Sequence, residues 1–378
     1  MRKPDKTPVI QSSEFRSLSP ATHRGSTIIF PDYQSFINRG KLGRSGYNYG
    51  LNGTPTSRHL SQQITDLEGG CDTFLTSSGL MAITVTLLAC LSSGDGVCFP
   101  ETVYAPVRRF ASRTLSKMGI EVAYYDPCAP DDIDWKALNL RLVWIESPGS
   151  VTMEVQDFRA IVDLANTHDV LTGCDNSWAS LYFCRPLEMG VDIVVEAVTK
   201  YLSGHSDLLM GSITARNEEF AGIIYETIQS LGVGVSPDDC FLALRGMETA
   251  ELRLRRVSET AQSVATQLAQ HPIIEEVLYP ACEGNEFHNL WRAQYSGAGG
   301  VLSFIVRDED EHSHASRFDR IDEIKLGASW GGTHSLISPA AVEDGRRGGR
   351  YDKRRIVRLS VGLESQEEIL SDLASFLS

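Results

Sequence analysis

The chain has 378 residues, of which 42% are hydrophobic and 22% charged, with a formal net charge of −14. This composition is typical of a globular protein, and the length favours two domains over a single hydrophobic core. The acidic balance and the lack of a long basic tract argue against nucleic acid as a partner.

Cysteine spacing and hydropathy narrow the class further. The eight cysteines form neither a CxxC pair nor a metal-ligand pattern, so no metal site is predicted. The N-terminus lacks the apolar core of a signal peptide, and the longest apolar stretch, 80–91, is too short to span a bilayer. We therefore expect a cytoplasmic protein with no membrane partner.

Residues 1–60 are predicted to form an N-terminal arm. They are rich in Gly, Ser, Asn and Arg and show no sustained hydrophobic period. Such a segment cannot bury a core of its own. We expect it to lie over another surface.

Residues 61–247 alternate short apolar runs with helical patterns, which is typical of βαβ units and a mostly parallel sheet. Ligands of such sheets bind beyond the carboxyl ends of the strands. The predicted helices are 80–91, 105–118 and 156–168, and the predicted strands are 73–76, 96–99, 121–125, 140–146, 170–175 and 192–198.

Residues 248–378 are predicted to form a smaller α+β domain. The short basic run 253–256 within its first helix is interpreted as a solvated or ion-pairing surface. Ser365 and Glu368 make a capping box for the last helix, which begins at about 366. The other predicted elements are a helix at 248–270 and strands at 274–279, 300–306 and 356–361.

The most informative stretch is 191–211. It begins with a near-continuous apolar run of the kind that a strand buried on both faces needs, and Lys200 follows where that strand ends. Burial would lower the pKa of this lysine and free its amine to form a Schiff base. A solvated lysine at a strand end is the alternative.

Residues 199–201 and 204–207 resemble the cofactor-lysine segment of the Cys/Met-metabolism family of pyridoxal-phosphate (PLP) enzymes, which includes cystathionine lyases and synthases. The similarity extends from about Tyr47 to the C-terminus. It implies fold type I, an α/β class with a large, mostly parallel-sheet PLP-binding domain and a smaller α+β C-terminal domain. It also implies PLP as cofactor, bound covalently by Lys200.

The segment 76–80 joins a predicted strand to a helix, whose N-terminal N–H groups are a ready anion site. The resemblance assigns the amides of Gly79 and Leu80 and the hydroxyl of Thr199 to the cofactor phosphate. Ala197 stands where the family often has a serine, so one hydroxyl is absent.

Asp175 ends a predicted buried strand, where a carboxylate is costly unless it meets a positive group. By resemblance it pairs with the pyridinium nitrogen, while Tyr104 stacks on the pyridine ring and its phenol approaches the substrate. Taken alone, a turn aspartate and a packing aromatic ring remain open. The resemblance places 146–154 along the cleft without assigning it a chemical role.

Two C-terminal segments complete the expected site. Ser329 and Trp330 resemble a substrate-binding loop of β-lyases, in which γ-type enzymes commonly carry an aliphatic residue instead of tryptophan. Arg358 lies in an apolar strand, where it needs an anion, and its planar fork suits an α-carboxylate. In the family this arginine binds the substrate carboxylate. His334 replaces a usual glutamate.

The arm carries the clearest departure from the family. Tyr49 matches a tyrosine that reaches into the neighbouring subunit's active site to contact cofactor and substrate, but Leu51 stands where an arginine would bind the phosphate. Arg44 or Arg58 could replace that charge. The resemblance implies a homo-oligomer, specifically a homotetramer built as a dimer of dimers.

Together these residues imply a PLP-dependent carbon–sulfur β-lyase that cleaves a thioether amino acid, cystathionine, to homocysteine, pyruvate and ammonia. Lys200 and Tyr104 are its expected catalytic residues. One alternative with the same fold is a γ-lyase or γ-synthase. A PLP-binding regulatory protein that has lost catalysis is an alternative of another class.

Overall fold

The computed structural model describes residues 17–136, 139–307, 310–342, 350–352 and 354–378. Within them a seven-stranded sheet has the order β1-β7-β6-β5-β4-β2-β3. All neighbours from β6 to β3 pair in parallel, whereas β7 is antiparallel to both β1 and β6. The strands are β1 Asp72–Thr76, β2 Gly96–Pro100, β3 Glu121–Tyr125, β4 Leu140–Glu146, β5 Leu171–Asp175, β6 Ile193–Glu196 and β7 Gly211–Ala215.

Helices cover both faces of this sheet, and the side chains of β4 show why. Leu142 and Trp144 join an apolar cluster with helices α3 and α7, whereas Val143 and Ile145 join a cluster with α5 on the other face. A strand buried on both faces must be apolar at every position. The helices are α1 Tyr33–Ile37, α2 Pro55–Glu68, α3 Gly79–Cys90, α4 Ala105–Phe110, α5 Phe158–Thr167, α6 Ser180–Phe183, α7 Glu218–Leu231 and α8 Pro237–Met247.

The C-terminal region forms a second sheet, of five strands in the order β10-β11-β12-β9-β8. Ser365 and Glu368 form the predicted capping box of the last helix. The strands are β8 Ile274–Leu278, β9 Val301–Val306, β10 Lys325–Leu326, β11 Leu336–Ala340 and β12 Arg355–Ser360, and the helices are α9 Ala250–Leu268, α10 His288–Gln294, α11 Glu311–Phe318 and α12 Gln366–Leu377.

The α/β fold class and the six strands predicted between 73 and 198 are confirmed, with shifts of one or two residues at several ends. The antiparallel strand β7 escaped prediction because 211–215 is short and half polar. The single helix predicted at 105–118 is α4 followed by a π-helical turn, Ala111–Leu115, and a 3₁₀ turn, Ser116–Met118. The domain boundaries at 60 and 247 remain predictions. None of the helices in the described ranges combines the length and apolar character that a bilayer span requires.

The centre of the large sheet is packed without spare volume at Gly173. A methyl group built on this residue of β5 would lie 2.7 Å from the indole carbons of Trp144, which is fully buried on the neighbouring strand. Gly173→Ala should therefore lower the free energy of unfolding by about 1–3 kcal/mol through overpacking.

Urea unfolding followed by circular dichroism measures this loss. Gly222→Ala is the matched control, because nothing lies within 4 Å of the added methyl in helix α7 and alanine favours a helix by about 0.5–1 kcal/mol. Equal stability of wild type and Gly173→Ala would contradict the packing described for Trp144.

Candidate active site

The lysine predicted from sequence follows a strand of the large sheet and contacts a loop of the C-terminal region. Lys200 follows β6 in a turn whose backbone closes through a hydrogen bond from Gly204 N–H to Lys200 O, at 2.7 Å. Its Nζ donates to Ser329 Oγ at 2.8 Å and lies 4.8 Å from the ring centre of Trp330. The structure thus brings together Lys200, Ser329 and Trp330, which lie 129 and 130 positions apart in the chain.

The surroundings of this amine make it lose its proton more readily than an exposed lysine does. Burial, and after it the positive charge of Arg358, lowers the pKa of Lys200 to about 8, while the carboxylate of Asp175 opposes both effects. A lysine with an amine that deprotonates near neutral pH can act as a nucleophile or a general base.

Asp175 ends β5, and its carboxylate is held by the next turn of chain. Its Oδ1 accepts the backbone N–H of Ser177 at 2.9 Å. Burial raises the pKa of Asp175, while hydrogen bonds from Ser177 and the charge of Lys200 oppose the rise. A buried carboxylate in this situation gains stability from any further cation that binds beside it.

A second carboxylate, Glu146, ends the neighbouring strand β4, where it is paired in register with Asp175. Its Oε2 accepts the backbone N–H of Tyr104 at 2.9 Å. Burial, and after it the charge of Asp175, raises the pKa of Glu146 well above its usual range. Glu146 therefore anchors the loop that carries Tyr104, a role that the sequence did not reveal.

Tyr104 projects from this loop with about half of its surface exposed, 45%. Burial of the rest, then Asp175 and Glu146, raises the pKa of the phenol, so it stays protonated at neutral pH. The ring is available for stacking and the hydroxyl can donate a proton or a hydrogen bond.

The start of helix α3 offers an anion site next to β6. Ser78 caps this helix by accepting the N–H of Met81, and the N–H groups of Gly79 and Leu80 meet no acceptor within the described part of the chain. A methyl group on Gly79 would lie 2.8 Å from Ala197 Cβ, so the helix begins directly against the end of the strand. Unpaired N–H groups at a helix start bind phosphate well.

Thr199 is less open than expected. Its hydroxyl donates to Met210 O at 3.1 Å and accepts Met210 N–H at 2.9 Å. These two bonds tie the Lys200 turn to the start of β7. To contact a phosphate with its proton, Thr199 must give up the bond to the Met210 carbonyl.

Arg358 lies on β12, with its guanidinium toward the same cleft. Its Nη2 donates to Ala328 O at 2.8 Å and to Ser329 O at 3.4 Å. Burial lowers the pKa of Arg358, whereas the nearby phenol of Tyr104 opposes this. The expected carboxylate-binding arginine therefore lies beside the loop of Ser329 and Trp330.

The arm is placed differently from the rest of the candidate residues. Tyr49 is 52% exposed, and within the described residues of this single chain it makes no hydrogen bond or ring contact with the Lys200 turn. Arg44 pairs with Asp72 and Glu218, so its charge is already neutralised. Among the described residues, Arg58 donates only to carbonyl oxygens, those of Ser45, Gly46 and Asn52, and it lies 4.2 Å from the ring centre of Tyr47.

Sequence reasoning assigned no role to three groups that organise the site. Glu146 holds the main chain of Tyr104, and Ser177 holds the carboxylate of Asp175. Tyr201 fixes the Lys200 turn, because its hydroxyl accepts Gly300 N–H at 2.7 Å and its ring packs on Trp330. Ser177, two residues after the aspartate, carried a usable signal, because Asp and Asn commonly accept the N–H two residues on. The partners of Glu146 and Tyr201 are too distant in the chain for such a rule.

Comparison with known proteins agrees with this geometry. The family model described as Cys/Met metabolism PLP-dependent enzyme matches residues 7–378. The chain belongs to this family. The resemblance stated from the motifs is therefore confirmed, and PLP is its cofactor.

Three similar proteins of this kind carry the names of different activities. The L-alanine/L-glutamate racemase of Wolbachia pipientis is 38% identical, over 96% of this chain and 93% of the relative. The cystathionine β-lyase of Escherichia coli is 32% identical, over 94% of this chain and 92% of the relative. The crystal structure of cystathionine γ-synthase from Xanthomonas oryzae, in complex with cystathionine, superposes with a TM-score of 0.90 at 30% identity, over 97% and 94%.

The chain's own groups fit PLP on chemical grounds. The unpaired N–H groups at Gly79 and Leu80 suit its phosphate, and the low-pKa amine of Lys200 suits its aldehyde. The carboxylate of Asp175, whose pKa burial raises, suits a protonated ring nitrogen.

The depressed pKa of Lys200 predicts a pH dependence of stability in the cofactor-free protein. Below about pH 8 the amine is charged in both states, and the folded protein carries the cost of burying that charge. Between about pH 8 and 10.5 the unfolded chain holds the proton more strongly, so stability rises with pH across this window.

Urea unfolding of cofactor-free wild type and Lys200→Met, measured across that window, tests this expectation. The wild type should gain stability relative to Lys200→Met as the pH rises, while Lys117→Met, which removes an exposed lysine, should leave the profile unchanged. Parallel profiles for wild type and Lys200→Met would show that the Lys200 amine is not desolvated.

Proposed function

We propose that this enzyme is a carbon–sulfur β-lyase that cleaves cystathionine to homocysteine, pyruvate and ammonia. The observation that carries the proposal is the contact of the Lys200 amine with Ser329 and Trp330, the loop that resembles the β-lyase form. This contact places the Lys200 amine, a base with a pKa of about 8, against the loop that we expect to surround the substrate.

Lys200 is proposed to supply the base. When bound, PLP withdraws electrons from the substrate Cα through its ring, with Asp175 holding the ring-nitrogen proton. Lys200 Nζ accepts the Cα proton and can deliver it to the departing sulfur, because an amine with a pKa of about 8 both gains and loses a proton readily near neutral pH. Ser329 Oγ holds Nζ in place at 2.8 Å.

Arg358 and Tyr104 are proposed to orient the substrate. Arg358 exchanges its bond to the Ala328 carbonyl for the α-carboxylate, which its planar fork can grip with two parallel bonds. Tyr104 stacks over the cofactor ring, with its main chain anchored by Glu146. Correct orientation of the Cα–H bond is worth a large part of the rate.

Racemisation of an amino acid is a second candidate, favoured by the identity of 38% to the Wolbachia racemase. Both reactions begin with loss of the Cα proton to a base such as Lys200. They diverge afterwards, since racemisation returns a proton to the opposite face of Cα whereas elimination breaks the Cβ–S bond. The γ-type reactions break a bond one carbon further out.

Product analysis of the purified holoenzyme separates these functions. With cystathionine, a β-lyase releases pyruvate and homocysteine, and a γ-lyase releases 2-oxobutyrate and cysteine. With L-alanine or L-glutamate, a racemase gives the D-enantiomer, detected by chiral chromatography. Lys200→Ala should abolish whichever activity is found. Release of 2-oxobutyrate alone, or of a D-amino acid without pyruvate, would overturn the β-lyase proposal.

We also propose that the working unit is at least a dimer, with tetramer as the expected assembly. The arm displays an unusual share of the exposed apolar surface. Eight of the fifteen large apolar side chains exposed in the described residues lie between 18 and 49. A second copy of the chain, covered by this arm as in the resemblance, would bury them, and Tyr49 would then reach the partner's cleft. Patches of this kind on a single chain usually mark an interface.

The cytoplasm is the proposed location. All eight cysteines are free, and most are buried. Burial raises the pKa of several of these thiols, for example that of Cys90 to about 12. Unpaired, unreactive thiols are typical of a reducing compartment.

Because this chain has Leu51 where the family has a phosphate-binding arginine, we expect it to hold the cofactor phosphate weakly. In the Lys200→Ala background, Leu51→Arg should tighten PLP binding by up to about 150-fold, because a hydrogen bond to a charged group is worth about 1.5–3 kcal/mol. The gain should be smaller to the extent that Arg58 already supplies the charge. Equilibrium dialysis with PLP measures this, and Leu42→Arg at another arm leucine is the control.

Arg58 is the proposed natural substitute for the missing arginine, because Arg44 is already paired with two carboxylates. Arg58→Ala should therefore weaken PLP binding more than Arg44→Ala does. The reverse order, or no effect from Arg58→Ala together with none from Leu51→Arg, would contradict this account of the phosphate site.

A further inference from the structure

A buried arginine from the C-terminal region lies against the turn that presents Lys200. In helix α9, Arg253 donates from Nη2 to Gly246 O at 2.9 Å and to Leu202 O at 3.4 Å. Its Nε donates to Thr249 Oγ1 at 3.1 Å, one helical turn earlier. The guanidinium therefore joins α9, the end of α8 and the Lys200 turn.

Contact with the turn is closest at Gly204. A methyl group built there would lie 1.7 Å from Arg253 Nη1, and Gly204 has φ +70°, a conformation that favours glycine. The N–H of the same glycine closes the turn on Lys200 O. The planar guanidinium thus covers the one residue that ends the Lys200 turn.

The burial of Arg253 contradicts, at this position, the solvated or ion-pairing surface predicted for 253–256, whereas Arg255 is exposed and pairs with Glu251 as predicted. Arg253 is 9% exposed, and no carboxylate lies within ion-pair distance of it in the described part of the chain. Burial lowers the pKa of Arg253, whereas the nearby Tyr182 opposes this. A buried cation that meets only neutral oxygens is expensive, and an apolar side chain of similar size would usually be more stable.

We propose that Arg253 is a positioning residue for Lys200. Its fork holds the carbonyl of Leu202 and the face of Gly204, so the turn keeps the amine against Ser329 and Trp330. The inference rests on the proposed role of Lys200 as the residue that binds PLP. It explains why the chain carries a buried charge at a place where stability alone would favour an apolar residue.

The test is the pH dependence of covalent PLP uptake by the cofactor-free protein, followed by the absorption of the lysine-bound cofactor. Only the unprotonated amine reacts, so the wild type should show a midpoint near 8. In Arg253→Met the Lys200 turn loses its buried hydrogen-bond donor and becomes accessible to water. The midpoint of its uptake profile should therefore rise by at least one pH unit, which lowers the rate of PLP uptake about tenfold at neutral pH. Arg358 and Asp175, the charged groups that act on Lys200, are unchanged in this variant.

Two further variants separate positioning from simple stability. Arg253→Lys keeps the charge and one donor, so it should restore most of the uptake rate. Arg255→Met removes a solvent-facing arginine of the same helix, paired with Glu251, and should match the wild type. A folded Arg253→Met protein with the wild-type midpoint would overturn the proposal.

Gly204→Ala keeps the question open to measurement if Arg253→Met fails to fold. The added methyl must displace the guanidinium, so the midpoint of the pH profile of PLP uptake should rise as it does for Arg253→Met. Combining Gly204→Ala with Arg253→Lys should reduce that rise. An unchanged midpoint in folded Gly204→Ala would count against the proposal. Covalent uptake by Lys200→Ala would instead refute the role of Lys200 itself, a result distinguishable from any failure of Arg253.

Discussion

Desolvation of one amine is the constraint on which the rest of the structure depends. Lys200 follows the last parallel strand of the large sheet, but its Nζ rests on Ser329 and Trp330 from the C-terminal region. Burial between these regions lowers its pKa to about 8. Because an exposed lysine would stay charged, the chemistry requires both parts of the chain to be packed together.

The parallel strands supply the opposite charge at the same edge. Glu146 and Asp175 end adjacent strands and lie in register, so two carboxylates share a poorly solvated position. Burial, and after it the charge of Asp175, raises the pKa of Glu146, because ionising both carboxylates at this position would be costly. The two carboxylates therefore have different roles. Glu146 anchors the Tyr104 loop by accepting a backbone hydrogen bond, and Asp175 is left to pair with a cation.

Prediction from sequence succeeded where a pattern is local. The apolar runs located the strands β1 to β6 within a few residues, and the capping box located the start of α12. It failed at β7, whose five residues carry no strong pattern and pair antiparallel between β1 and β6. Tertiary pairing, which no local propensity encodes, decided that strand.

What the sequence by itself determined was the family, the parallel sheet, and the identities of the candidate residues Lys200, Asp175, Tyr104 and Arg358, because motif and strand-end position are both readable along the chain. Only the tertiary structure decided what each of them contacts. Arg253 is the clearest case, since Arg255 and Arg256 of the same basic run face solvent, yet Arg253 lies buried against Gly204. The reason is physical: burial and close approach depend on residues about 50 to 150 positions away, and a sequence pattern reports only the nearest turn of helix or strand.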